Sequence, residues 1–120
     1  MPILNVKVSA DPSRDLTSQI NSLLLDITSR ILKKKPEVTA IAIDYVSTEH
    51  WSISGKSLRD LGKKSVYFDI KITDETNTKD EKAKYIAEAF AGFERLLGEL
   101  HETSYVYVQD VRAATYGYGG

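Results

Sequence analysis

The chain contains no cysteine, which excludes disulfide bonds and thiolate chemistry. Its two histidines, His50 and His101, are too few and too far apart for a zinc site, so we expect no metal. No apolar run approaches the roughly 20 residues that a membrane span requires. Lys7 interrupts the apolar start too early for a secretory signal peptide. We therefore expect a cytoplasmic protein with no membrane partner.

An excess of either charge is also missing, because 16 basic and 17 acidic residues give a net charge of −1. This balance provides no basic surface for nucleic acid or for anionic lipid. The length of 120 residues and the hydrophobic fraction of 42% suit one compact domain with a real core. We therefore expect a single domain over residues 1–120 that does not bind nucleic acid.

The most informative feature of the chain is an internal repeat. Three short segments occur twice in the same order, 64 or 65 positions apart: residues 5–11 and 69–75, residues 39–43 and 103–107, and residues 50–55 and 115–120. The first two pairs have the alternating or β-branched patterns of strands, and the third has the aromatic and glycine residues of a small hairpin. The repeat predicts two units, about 2–60 and 65–120, joined by a short connector at 56–64.

Each unit contains one amphipathic helix between its two strands. Apolar residues recur at helical spacing over roughly residues 14–33 and again over residues 86–97. Thr78, followed three positions later by Glu81, is a capping-box signature at the start of the second helix. Each unit is therefore a βαβ crossover with parallel strands. Together the units predict an α+β fold, a four-stranded sheet with two helices on one face.

The predicted strands are apolar on both faces, as residues 41–43 and 105–108 illustrate. Helices cover only one face of such a sheet, and burial of both faces is the simplest interpretation of the pattern. Self-association is the simplest way to cover the second face. The pattern therefore predicts an oligomer.

Three segments carry a resemblance to a known family: Pro2 with the strand after it, residues 50–55 (HWSISG), and residues 110–118 (DVRAATYGY). Over nearly the whole chain, the sequence resembles the tautomerase superfamily. It is similar to the fused two-unit form of 4-oxalocrotonate tautomerase and, more distantly, to macrophage migration inhibitory factor. The resemblance implies a homotrimer around a central sheet barrel and an isomerase that uses no cofactor.

Pro2 is the candidate catalytic base. Removal of Met1 leaves Pro2 with a free secondary amine, and an α-amino group in an unstructured peptide has a pKa of roughly 7.7–8.0. An apolar pocket and a nearby cation lower this pKa. The neutral amine can then move a proton in keto–enol or allylic isomerisation of a small, carboxylated enol or unsaturated acid. Val66, the equivalent residue of the second unit, has no free amine. The plainer alternative is that Pro2 only opens an edge strand.

The resemblance implies further site residues. Arg112 either binds a substrate carboxylate or polarises a carbonyl. Its alternative role is an ion pair between subunits, with Asp110 or Asp44. Tyr107 and Gln109 match the strand on which the inhibitory factor places a tyrosine and an amide in its pocket. Both are expected to line the site from a neighbouring subunit.

Three more side chains complete the substrate-binding set. Trp51 and Tyr116 occupy the family's hairpin aromatic position and are expected to wall the pocket, with core or interface packing as the alternative. Lys35 stands directly before Pro36, as in the family's lysine–proline step. It either supplies the cation near Pro2 or lies at a solvated helix end.

The chain departs from the family pattern at two arginines. Their places hold Pro12 and Ala40, and Arg14 is shifted from the first of them. The sequence therefore leaves open the recognition of a dicarboxylate, the physiological substrate, and the choice between tautomerase, dehalogenase and hydratase chemistry. The chain also stops at residues 119–120, inside the predicted hairpin, where relatives usually continue.

A second function also fits the sequence. This alternative is a non-catalytic trimeric binding or signalling protein with a vestigial site, and a structural trimer without a ligand is a further one. Retention of Met1 would favour either of them, because an acylated Pro2 nitrogen is not basic.

Overall fold

The computed structural model describes all 120 residues. Its helices and strands follow the chain as β1 (Ile3–Val8), α1 (Arg14–Arg30), β2 (Ala40–Tyr45), β3 (Ser52–Ile53), β4 (Lys56–Ser57), α2 (Leu58–Leu61), β5 (Val66–Thr73), α3 (Lys79–Leu97) and β6 (Tyr105–Val111). Two short 3-10 turns, Pro36–Val38 and Ala113–Thr115, precede β2 and follow β6.

Four strands form one sheet in the order β2-β1-β5-β6. β1 pairs with β2 and β5 pairs with β6 in parallel, whereas the two central strands, β1 and β5, are antiparallel. The predicted α+β fold with two parallel βαβ crossovers is therefore confirmed. Both halves of the repeat contribute strands to the same sheet, because β1 and β5 lie side by side.

Local sequence accounts for both long helices. The Ser13 side chain caps α1 by accepting a hydrogen bond from Leu16 N at 3.1 Å. The capping box predicted for α3 is confirmed, with Glu81 N donating to Thr78 Oγ1 and Thr78 N donating to Glu81 Oε1. α1 ends at Arg30, earlier than predicted, because the backbone turns at Lys33, whose φ is 61°.

Both helices pack on one face of the sheet and form the core there. The fully buried apolar side chains from the two central strands and the two helices are Leu4, Val6, Val8, Val66, Phe68, Ile70, Ile72, Ile20, Leu24, Ile27, Tyr85, Ala89 and Phe93. Full burial of such a side chain stabilises the fold by roughly 1.5–3 kcal/mol. α1 and α3 approach closely at Gly92, where a Cβ atom would lie 2.4 Å from a methyl carbon of Leu23.

The two predicted hairpins have different outcomes. β3 and β4 form the first one around Ser54 and Gly55, whose φ values of 54° and 78° suit a tight two-residue turn. The second, predicted over residues 115–120, is wrong. The chain instead forms a 3-10 turn in which Thr115 N and Oγ1 both donate to Arg112 O, and no strand pairs with residues 116–120.

The stretch predicted as a connector, residues 56–64, also differs from that prediction. It contains β4 and the short helix α2. Ser57 Oγ caps this helix by accepting from Asp60 N at 3.2 Å, and Leu58 is fully buried. The charged residues around Leu58 hide this packing contact in the sequence.

The second face of the sheet is open within one chain. Ile3, Tyr105 and Tyr107 point to this face and are 43%, 49% and 46% exposed. In the single chain only one face of the sheet is therefore buried. Burial of the second face, which the sequence predicts, requires association with another chain. No helix combines the length and apolar content that crossing a membrane requires.

Candidate functional site

Pro2 lies at the start of an interior strand. β1 has β2 on one side and β5 on the other, and its first residue, Ile3, lies opposite Ala40 and Lys71. The Pro2 carbonyl accepts a hydrogen bond from Ala40 N at 3.1 Å, and Pro2 itself is buried. The alternative that Pro2 opens an edge strand is therefore wrong. The surrounding strands hold the proline ring at one end of the sheet.

A small apolar cavity of about 120 Å³ adjoins Pro2. Its lining residues come from the chain start, the start of β2 and the segment after β6: Met1, Pro2, Ile3, Val38, Ala40, Tyr116, Gly117 and Tyr118. No lysine, arginine or histidine lines this cavity. When Met1 is removed and the Pro2 amine is freed, apolar groups of Ile3, Val38 and Ala40 still line the cavity beside it, which disfavours its charged form.

Of the predicted substrate-binding residues, the structure brings Tyr116 to this cavity. The Tyr116 ring is 37% exposed, and its hydroxyl shares a hydrogen bond of 2.8 Å with Thr73 Oγ1. Thr73 is the last residue of β5, so the sheet itself positions the aromatic wall. Pro2 and Tyr116 thus line the same cavity, and the role of Tyr116 in substrate binding stays a prediction.

Arg112 lies at the same end of the sheet, directly after β6. The register of the strands shows this. β6 ends opposite Thr73, the last residue of β5, and the end of β5 lies beside the start of β1, where Pro2 is. Arg112 is exposed and forms no ion pair within the chain. Its two proposed partners are occupied, Asp110 by Lys82 at 2.5 Å and Asp44 by a lysine at 3.3 Å. The Arg112 guanidinium is therefore available to an anion near the Pro2 cavity.

Gln109 and Tyr107 lie on the open face of the sheet and do not line the cavity. Gln109 is in register with Lys71, which in turn lies opposite the start of β1. Tyr107 is one row further from Pro2, and its ring stacks on Tyr105 with centroids 6.2 Å apart. Tyr107 also contacts Tyr67, whose pKa is raised by burial and by the neighbouring carboxylate of Asp69.

The structure does not bring Trp51 or Lys35 to the cavity within one chain. Trp51 follows the far end of β2, where Tyr45 lies opposite Val8, and its carbonyl accepts a hydrogen bond from Leu58 N. It is therefore at the end of the sheet opposite to Pro2. Lys35 is exposed, and its carbonyl accepts from the Thr39 hydroxyl at 2.8 Å.

Sequence reasoning missed a second lysine beside Lys35. Lys34 is partly buried, its ammonium donates to Thr76 Oγ1 at 2.8 Å, and burial lowers its pKa. Helical spacing does not identify it, because α1 ends at Arg30 and the backbone turns at Lys33, directly before Lys34. The cavity wall at Val38 carries no signal in the sequence either.

A larger surface depression of about 620 Å³ lies against the N-terminal half of α1. Hydroxyl and amide side chains dominate its lining, and it contains neither a carboxylate nor a histidine. Arg14 and Tyr45 are its titratable groups, and no apolar pocket surrounds them. Acid–base chemistry is therefore better supported at the Pro2 cavity. No cluster of histidine and carboxylate side chains suited to a metal ion is found.

No family profile matches the chain. Over 63 residues the chain is 33% identical to the probable tautomerase K2 of Dickeya dadantii (strain 3937), covering 48% of this chain and 88% of that protein. The chain belongs to the tautomerase family. The resemblance seen in the sequence is therefore confirmed.

Solved tautomerase-fold structures cover almost the whole chain. A native fused 4-OT superposes with a TM-score of 0.84 at 18% identity, over 98% of this chain and 93% of that one. Pt0534 inactivated by 2-oxo-3-pentynoate gives 0.83 at 13% identity, over 98% and 92%. A macrophage migration inhibitory factor-like protein of Entamoeba histolytica gives 0.76 at 20% identity, over 98% and 94%. At these identities the likeness shows the fold.

Proposed function

We propose that this tautomerase-family chain is a cofactor-independent isomerase whose base is the Pro2 amine, exposed when Met1 is removed. One observation carries the proposal: Pro2 is buried at the start of an interior strand, beside an apolar cavity that reaches the surface of the chain. Such a position fixes the proline ring, and the apolar lining that remains after Met1 is removed disfavours a charge on its nitrogen. We expect the pKa of this amine to lie below the roughly 7.7–8.0 of a free α-amino group.

The reaction requires one proton to move and no redox change. In ketonisation of an enol, the neutral Pro2 amine accepts the proton of the enol hydroxyl as the carbonyl forms. The resulting ammonium then returns a proton to the adjacent carbon. A single positioned amine can perform both transfers when the enol oxygen and this carbon both lie within hydrogen-bond reach of its nitrogen.

The cavity and its surroundings favour a small acid with an apolar portion. The lining offers contacts to apolar groups and no cation. Ala40 stands where the family resemblance implies an arginine. Arg112, exposed and unpaired at the same end of the sheet, is the group we assign to a substrate carboxylate. An enol such as phenylenolpyruvate combines one carboxylate with an apolar ring.

We further propose that the protein is a homotrimer. Tyr105 and Tyr107 leave about half of their surface exposed on the open face, and fused 4-OT relatives form symmetric and asymmetric trimers. Association would cover this face. It would also allow Trp51, Tyr107 and Gln109 to approach the Pro2 cavity of a neighbouring copy, which one chain alone does not permit.

The non-catalytic alternative depends on whether Met1 is retained. Met1 lines the cavity, and while it remains attached the Pro2 nitrogen belongs to a peptide bond. A protein that keeps Met1 would present the same fold and assembly without a base. Binding or signalling by the trimer would then be the remaining function.

The direct test combines the mass of the purified protein with its rate of phenylenolpyruvate ketonisation. We expect a mass without Met1 and an accelerated reaction, and Pro2→Ala should lower kcat/KM by about 10²–10⁴-fold. Pro12→Ala changes an exposed proline elsewhere and serves as the matched control. An intact Met1, or a Pro2→Ala variant with the wild-type rate, would rule out the proposed base.

A further inference from the structure

The C-terminal segment, residues 116–120, is tied to the remainder of the chain by one hydrogen bond. Its backbone groups make none with other residues. The bond joins the Tyr116 hydroxyl to Thr73 Oγ1 at 2.8 Å. Since Tyr116 carries part of the Pro2 cavity wall, and Gly117 and Tyr118 follow it in that wall, the shape of the cavity depends on this contact.

Thr73 is itself firmly held. Its carbonyl accepts a hydrogen bond from Thr76 Oγ1 at 2.6 Å, and the next residue, Asp74, donates its backbone N–H to Val111 O at 2.8 Å. A β-branched side chain on a fixed strand has few available rotamers. The Thr73 hydroxyl is therefore presented to Tyr116 from a rigid point of the sheet.

We propose that Thr73 is a positioning residue, whose hydroxyl holds Tyr116 against the Pro2 cavity and thereby sets how tightly substrate binds. Thr73 does not line the cavity, so it acts through Tyr116. The kinetic consequence of this contact rests on the proposed function. The structural consequence, a C-terminal segment that is released when the bond is lost, does not.

Cleavage by chymotrypsin after Tyr116, followed by mass spectrometry of the native protein, tests the structural part. Thr73→Val keeps the branched shape and removes the hydroxyl, and we expect cleavage about three- to tenfold faster, the range for one lost neutral hydrogen bond. Thr73→Ser should restore protection. Tyr116→Phe removes the other half of the bond, leaves a cleavable residue, and should behave like Thr73→Val.

A matched control exists in the same chain. Thr17 Oγ1 and the Tyr45 hydroxyl form a second threonine–tyrosine hydrogen bond at 2.5 Å, far from Pro2. Thr17→Val should leave cleavage after Tyr116 at the wild-type rate. Wild-type cleavage in both Thr73→Val and Tyr116→Phe would overturn the proposal, and the second variant decides the matter if the first does not fold.

Steady-state kinetics of ketonisation test the functional part. Thr73→Val should raise KM about three- to tenfold with little change in kcat, because the base is untouched. The double variant with Tyr116→Phe should be no worse than either single variant, since both remove one bond. An active enzyme whose KM is unchanged in both single variants would overturn the proposal. A wild-type protein without activity would refute the proposed function instead, while the cleavage result still decides the role of Thr73.

Discussion

Thr28 and Tyr85 join the two long helices through a hydrogen bond inside the core. Thr28 Oγ1 of α1 lies 2.8 Å from the Tyr85 hydroxyl of α3, and both side chains are buried. The Tyr85 ring also contacts Phe68 of the central strand β5, with centroids 6.0 Å apart. A buried polar contact thus joins the helix pair over the sheet, and the exposed ion pair between Arg30 and Glu88 joins the same helices at the surface.

Removal of the Thr28 hydroxyl should destabilise the protein. In Thr28→Val the buried Tyr85 hydroxyl loses its partner, which costs about 1–3 kcal/mol. Tyr85→Phe should cost less, because Thr28 can donate to a backbone carbonyl of its own helix instead. Urea unfolding followed by circular dichroism, at one fixed protein concentration, measures the free energy of unfolding of both variants. Equal stability of Thr28→Val and wild type would contradict the importance of this bond.

The same tyrosine predicts a loss of stability in alkali. Burial raises the pKa of Tyr85 above its usual value, so the folded state favours the protonated phenol. A raised pKa in the folded state gives stability that is fully present below the unfolded value of about 10 and declines as the pH rises above it. The free energy of unfolding should therefore fall above pH 10 in wild type and fall less steeply in Tyr85→Phe. If the free energy of unfolding fell equally with pH in both proteins, Tyr85 would not be the cause of the loss of stability.

Much of this fold could be predicted from the sequence because the repeat and the apolar periodicities are local signals. The alternation in residues 5–11 and 69–75 marks the two central strands, and the Thr78–Glu81 pair marks the start of α3. The prediction of the first hairpin was correct for the same reason. The prediction of the second hairpin was wrong because a hairpin requires two strands that pair. The similarity of residues 115–120 to residues 50–55 does not guarantee that pairing.

The site was harder to predict than the fold. The family's motif predicts Tyr116 as a wall of the pocket, whereas Val38 reaches the cavity only through the three-dimensional packing of the turn before β2. Trp51 is equivalent to Tyr116 in the repeat, yet the antiparallel arrangement of β1 and β5 sends the two residues to opposite ends of the sheet. Sequence similarity between the halves cannot by itself show that separation.

Assembly should depend on the open face of the sheet. Ala42 lies on this face, next to Asn5 of β1 and exposed within one chain. Ala42→Glu would place an unpaired charge in the buried interface, and we expect it to dissociate the trimer at micromolar concentration. Gln19→Glu adds the same charge to an exposed position of α1 and should leave the assembly intact. Light scattering reports both, and a monomeric wild type would refute the proposed trimer.

Arg112 should affect substrate binding more than stability. Arg112→Ala should lower kcat/KM for a carboxylated enol by about 10- to 100-fold, on the order of 1.5–3 kcal/mol for a lost charged hydrogen bond. The free energy of unfolding of Arg112→Ala should equal that of wild type, because Arg112 has no ion pair in the chain. Arg59→Ala, which removes an exposed ion pair with Glu49 elsewhere, is the control. An unchanged kcat/KM in Arg112→Ala would assign this side chain to another role.

The central claim is that the reaction depends on a free amine at Pro2. Two proteins that differ by one residue test it most directly: the Met1-free chain that begins at Pro2, and a chain with one glycine left ahead of Pro2. The glycine turns the Pro2 nitrogen into an amide, which is not basic, while the cavity and fold remain.

The measurement is kcat/KM for ketonisation of phenylenolpyruvate by the two proteins, each verified by mass. The account predicts a loss of about 10²–10⁴-fold in the extended protein. It also predicts that the rate of the unextended protein rises with pH through one ionisation that lies below the ordinary α-amino value. An extended protein that keeps the wild-type kcat/KM would contradict the account.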